Sequence, residues 1–94
     1  MSLLFEWDEE KAAANYLKHG IQFDEACSSF QDPLSLTILD PLHSEDEMRY
    51  ILIGVSIALR LLVVVHTDRG DKVRIISARK ANAKEARYNV DNRR

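Results

Sequence analysis

A chain of 94 residues is the size of one small domain, residues 1–94, and 46% hydrophobic residues are enough for a core of its own. The single cysteine, Cys27, excludes an intramolecular disulfide framework and points to a reducing, cytoplasmic setting. The longest apolar run, Leu61 to Val65, is far too short to cross a bilayer, and Glu6, Asp8, Glu9 and Glu10 near the start do not suit a secretory leader, so no membrane partner is expected.

The first strand is expected at Leu3 to Trp7. Asp8 reads as a helix N-cap, with Glu9 and Glu10 in the first turn, where the helix dipole favours negative charge. Glu10 to His19 is helical by propensity, and Gly20 closes the helix as a left-handed cap. Phe23, Ala26, Cys27 and Phe30 form one apolar stripe of a second helix, which Asp32-Pro33 ends. Cys27 on that stripe reads as a core residue. The period then changes to two: Leu34, Leu36 and Ile38 alternate with Ser35 and Thr37. After a polar loop from Asp40 to Asp46, three more strands are expected at Met48 to Ser56, Leu61 to Thr67 and Lys72 to Ser77. A last helix begins at an Asn82 N-cap, with Glu85 completing a capping box. The order β-α-α-β-β-β-β-α argues for an α+β fold with helices laid on a mostly antiparallel sheet.

Charge is unevenly spread. Residues 1–65 hold four Lys/Arg against eleven Asp/Glu, a net of −7, whereas residues 66–94 hold nine against four, a net of +5. Such a basic third suits a polyanion or an acidic partner, or it complements the acidic part of the same molecule.

The stretch Thr67-Asp68-Arg69-Gly70-Asp71 suits a three-residue hairpin loop with Gly70 left-handed. That register sets His66 opposite Lys72 and Val64 opposite Arg74, so His66, Lys72 and Arg74 share one face. Leu61, Val63, Val65, Val73 and Ile75 then face the helices. Cleavage of an RNA phosphodiester needs a proton acceptor for the 2′-hydroxyl, a donor for the leaving oxygen, and cations for the charge on phosphate. Histidine and arginine can supply these roles, although Lys and Arg on half-exposed strands are more often simply solvated residues. Arg69 at the hairpin, and Lys80, Lys84 and Arg87 near the last helix, extend the basic surface. His19, His43 and His66 are scattered and there is no cysteine pair, so no metal or other cofactor is expected; the acidic loop of Asp40, Glu45, Asp46 and Glu47 is a weak cation candidate.

Several segments together resemble the BrnT toxin family. They are Phe5-Glu6-Trp7-Asp8 with Lys11 and Asn15, Lys18-His19-Gly20-Ile21-Gln22-Phe23-Asp24-Glu25-Ala26, and Phe30-Gln31-Asp32-Pro33-Leu34. Glu47-Met48-Arg49-Tyr50 leading to Ile53-Gly54, and Leu61 to Thr67 joined through Arg69-Gly70-Asp71 to Arg74-Ile75-Ile76-Ser77-Ala78-Arg79-Lys80-Ala81, continue the series. Lys84-Glu85 and Arg87-Tyr88 extend it into the last helix. The resemblance implies a RelE-like fold and a ribonuclease toxin of a type II toxin–antitoxin pair that cleaves mRNA without the ribosome. It also implies a BrnA-like antitoxin with a ribbon-helix-helix part, DNA contact only through that antitoxin, and a homodimer or a heterotetramer with it. It carries Arg79, Lys18 and His19 over as catalytic candidates, beside His66 and Arg74 from the sheet reading. Arg69, Lys72, Lys80, Lys84 and Arg87 are then RNA-binding candidates, and cleavage is expected to need no metal. On the expected register Arg74 and Arg79, five residues apart, face opposite ways unless a bulge near Ser77 intervenes. A non-catalytic binding module acting as co-repressor is the alternative function.

Overall fold

The computed structural model describes residues 3–40 and 47–92, with side chains in the last helix placed as far as Asn89. The polar loop expected after Asp40, with His43, Glu45 and Asp46, lies outside the described residues. The elements are β1 (Leu4–Glu6), α1 (Glu9–His19), α2 (Phe23–Ser28) with a following 3-10 turn (Ser29–Gln31), β2 (Leu36–Leu39), β3 (Arg49–Val55), β4 (Leu61–Arg69), β5 (Lys72–Lys80) and α3 (Ala83–Asn92). The expected order is found, with β2 starting two residues later than the Leu34 periodicity suggests because Pro33 and Leu34 belong to a turn. Among the described residues no helix is long and apolar enough to cross a membrane.

One five-stranded sheet runs β1-β5-β4-β3-β2, antiparallel except that β1 lies parallel to β5. Ile21, Phe23 and Ala26 from the helical layer pack with Leu52, Leu62, Val64, Ile75 and Ala78 of the sheet to form the core. Gly54 is required in this layer, because a Cβ there would stand 2.9 Å from the Ser29 carbonyl oxygen. On the opposite face α3 rests against β3.

Local chemistry explains the element ends. Asp8 accepts hydrogen bonds from the backbone N–H groups of Glu10 (2.8 Å) and Lys11 (3.2 Å), and Gly20 caps α1 with φ 72°. At α3 the Asn82 side chain accepts from Glu85 N–H at 2.8 Å, while Glu85 accepts from Asn82 N–H at 2.9 Å. This reciprocal pair is the capping box read from sequence.

One tie between layers is Asn15, a buried polar side chain on α1. Strand β1 pairs with residues 72–74 of β5, so among the described residues the outer edge of β5 beyond Arg74 lacks a strand neighbour. Asn15 fills that role: its Oδ1 accepts from Ala78 N–H (3.1 Å), and its Nδ2 donates to the Ala78 carbonyl (2.8 Å) and the Ile21 carbonyl (3.0 Å). Substituting Asn15→Ala is expected to destabilise the fold by about 1–3 kcal/mol for each buried polar group left unpaired. A fall in the urea midpoint with little change in slope would show it, and a midpoint equal to wild type would contradict the assignment.

Candidate active site

The side chains able to bind phosphate lie mainly on the sheet face opposite α1 and α2. There, Arg49, Thr67, Arg74 and Glu6 sit in one cross-strand row on β3, β4, β5 and β1, and Arg69 and Lys72 pair in the adjoining row. Arg74 Nη1 donates to Glu6 Oε2 at 2.7 Å. Arg69 and Arg49 each come within 3.7 Å of the Glu47 carboxylate. Thr67 donates its hydroxyl proton to the Met48 carbonyl at 2.6 Å, which ties β4 to the start of β3.

Arg79 lies further along the same face. Its Nη1 and Nη2 both donate to the Glu85 carboxylate at 2.7 Å, a bidentate fork that joins β5 to α3. Each partner favours the charged form of the other, so Arg79 is pushed up and Glu85 is held below its ordinary range. The strand partners of Arg74 and Arg79 on β4 are Thr67 and Val63, four residues apart, or about 13 Å along a strand. Lys84 and Arg87 are exposed on α3 nearby.

A β-bulge creates this arrangement. Val65 pairs with Ser77 and His66 with Ile75, leaving Ile76 as the extra residue on β5. The alternation of faces is thereby reset, and Arg74 and Arg79 come to the same side. The bulge near Ser77 is the feature that the five-residue spacing required.

The expected partnership of His66 with Lys72 and Arg74 is overturned. The hairpin loop has two residues, Gly70 and Asp71, with Arg69 paired to Lys72 and His66 to Ile75. Gly70 is left-handed as expected, with φ 62°. The altered register turns β4 over, so Leu62, Val64 and His66 face the helices instead of Leu61, Val63 and Val65. Lys72 and Arg74 face away from them, as expected. His66 is only 6% exposed, with its ring 4.8 Å from Phe30 in edge contact and 5.8 Å from Tyr50 in a stacked one. Neither ring nitrogen has a hydrogen-bond partner among the described residues. Burial pushes its pKa below the ordinary imidazole value, with the Asp68 carboxylate opposing weakly.

The remaining candidates fall elsewhere. Lys18 and His19 occupy the last turn of α1, in the helical layer across the sheet from Arg74 and Arg79. Lys80 also belongs to the helix side, where its charge acts on Glu25, so it does not extend the Lys84 and Arg87 stripe. Cys27 is half-buried and its thiol is pushed up to about 11, chiefly by burial, as befits a packing residue. Sequence reasoning missed Glu6, Glu47 and Arg49 as members of the basic face. Their signal is cross-strand pairing, which no single segment carries. Among the described residues no three His, Cys, Asp or Glu side chains converge as metal ligands.

Comparison with known proteins gives a consistent result. The family model described as the ribonuclease toxin BrnT of type II toxin–antitoxin systems matches residues 7–85. The 1.1 Å crystal structure of the Brucella abortus ribonuclease toxin BrnT superposes with a TM-score of 0.65 at 28% identity, covering 86% of this chain and 99% of that one. No curated protein matches the sequence.

The buried imidazole sets a pH dependence. Its folded-state pKa is below the unfolded value, so the unfolded chain binds the extra proton first as pH falls. Stability contributed by neutral His66 is therefore complete above the ordinary imidazole value of about 6.5 and is lost on going down through the folded-state value. Between about pH 7.5 and pH 5 the urea midpoint of wild type is expected to fall more than that of His66→Phe. Parallel profiles for the two proteins would contradict this origin.

Proposed function

The chain belongs to the BrnT family of ribonuclease toxins of type II toxin–antitoxin systems, and on that premise we propose that it cleaves mRNA on the basic sheet face, without a metal ion and without the ribosome. The supporting observation is the β5 bulge, which gathers Arg74 and Arg79 onto one face with Arg49, Arg69 and Lys72. Arg74 and Arg79 are the central electrostatic residues of this reading: a guanidinium fork matches phosphate oxygens and stabilises charge as it develops on phosphorus, and Arg79 would exchange the Glu85 carboxylate for phosphate to do so. Arg69, Lys72, Lys84 and Arg87 hold the RNA backbone on either side. Lys18, His19, His66 and Lys80 fall outside this site.

An antitoxin partner follows from the family, and we propose that it is BrnA-like, with a ribbon-helix-helix part, and that it neutralises the toxin by covering the basic face. A heterotetramer is the expected assembly, with contact to DNA made by the antitoxin alone.

A binding module that only docks a partner is a second reading, favoured by the carboxylates that engage Arg74 and Arg79 in the free chain. One experiment separates the two. Purified, ribosome-free RNA is incubated with the folded protein in EDTA, beside Arg74→Ala and Arg79→Ala. The expected result is cleavage that survives the chelator and falls roughly 10²–10³-fold in each variant, the usual cost of removing one preorganised donor to a transition-state oxyanion. Intact RNA with folded wild type would favour the binding module, and cleavage that stops in EDTA would remove metal independence.

A further inference from the structure

RNA cleavage on the basic face requires a group that accepts the 2′-hydroxyl proton. Among the described residues that face carries no histidine: His66 points into the helical layer and His19 ends α1 on the same side. The carboxylates on that face among the described residues are Glu6, Glu47, Glu85 and Asp40, and their surroundings differ. Asp40, beside Arg49 at the end of β2, is buried away from substrate. Glu85 commits both oxygens to the fork of Arg79, and its Oε1 also accepts from Asn82 N–H. Glu47 lies 3.7 Å from Arg49 and Arg69, at the edge of the face. Glu6 engages Arg74 through Oε2 alone, and its Oε1 accepts no hydrogen bond from a described residue. Its side chain is 30% exposed, beside an Arg74 whose Nε and Nη2 are also uncommitted among the described residues.

We propose that Glu6 is the general base of this site, a reading that rests on the ribonuclease assignment above. Arg74 receives the scissile phosphate on its open edge while holding the Glu6 carboxylate alongside, so acceptor and phosphate are positioned by one guanidinium. The 2′-hydroxyl gives its proton to Glu6 Oε1 as its oxygen bonds to phosphorus. The bond from phosphorus to the 5′-oxygen breaks, and that oxygen takes a proton from water. The products are a 2′,3′-cyclic phosphate and a 5′-hydroxyl. Protonated Glu6 then returns its proton to the hydroxide formed, which restores both the carboxylate and the water.

The test measures cleavage of a defined RNA across pH by wild type, Glu6→Gln and Glu6→Ala, with folding checked by circular dichroism and added formate as an external base. Glu6→Gln is expected to lose roughly 10²–10⁴-fold in kcat, with a smaller change in KM. The acidic limb of the wild-type pH profile should disappear in that variant, and formate should restore part of the Glu6→Ala rate. A folded Glu6→Gln that cuts within a few-fold of wild type overturns the assignment, as does a Glu6→Ala rate indifferent to formate. If neither variant folds, Glu6→Asp decides: a slower enzyme that keeps the acidic limb supports the base, and one without the limb overturns it. Folded wild-type protein that leaves RNA intact removes the ribonuclease assignment itself, an outcome distinct from failure of Glu6 alone.

Discussion

The bulge in β5 is the constraint on which both faces of the sheet depend. Residues three apart on a regular strand point to opposite sides, yet Ile75 and Ala78 both enter the core. Residues five apart also point to opposite sides, yet Arg74 and Arg79 share the basic face. One extra residue, Ile76, resolves both conflicts at once. A regular strand with this sequence would bury a cation or expose a core residue, each a larger cost than the local kink. The strand is then held just past the bulge by Asn15, whose amide offers Ala78 the donor and acceptor that a neighbouring strand would have offered. Core packing and the arginine arrangement therefore share one backbone irregularity and one side-chain anchor.

The ion pairs on the basic face orient more than they stabilise. Arg74 with Glu6 and Arg79 with Glu85 are partly exposed, where such pairs contribute on the order of 0.2–1 kcal/mol after screening. Their geometry matters more than that energy. Glu85 both completes the capping box with Asn82 and receives the Arg79 fork, so the start of the helix and the end of β5 are fixed relative to each other. Between α3 and strands β2 and β3 lies an open groove of about 440 Å³ lined by Leu36, Ile38, Ile51, Ile53 and Tyr88 with Asn82, Lys84 and Glu85 at its polar side. Packing of α3 on the sheet is thus incomplete, which gives the polar tie at its first turn a larger share in holding it.

How far the sequence was legible follows from the same physics. Element order, both α1 caps and the capping box of α3 were readable, because each depends on residues within one turn. The α+β class followed from the change of period. What failed was the facing of β4. Leu62, Val63 and Val64 are all buried, since the sheet is covered on both sides, and a continuous apolar run contains no information on parity. The facing then rested on the hairpin loop alone, where a two-residue loop replaced three and turned His66 inward. The bulge was legible only as a conflict between Arg74 and Arg79; no glycine marks it, since its stability comes from the packing of Ile75 and Ala78 and from Asn15. Glu6 was invisible as a site residue because β1 meets β5 in parallel across 68 positions of chain.

The separation of charge by face constrains what the molecule can meet. With a net charge of −2, long-range attraction to a polyanion is absent, and contact must rely on local potential. On the helical side Asp8, Glu9, Glu10, Asp24 and Glu25 stand with Lys11, Lys18 and Lys80, and Glu25 is paired with Arg60, so that side lacks the excess of cations that Arg69, Lys72 and Arg74 give the other. An approaching RNA would be oriented by the gradient between the two sides before any base is read. Salt at physiological strength screens beyond about 8 Å, which leaves the nearest phosphates as the ones that count. The same argument applies to a protein cover for the basic face: it must bring carboxylates to Arg69, Lys72 and Arg74, and gains nothing from the helical side. An RNA and an acidic protein cover would therefore compete for one surface, since the cations that receive negative charge, Arg69, Lys72 and Arg74, stand together on one face of the sheet.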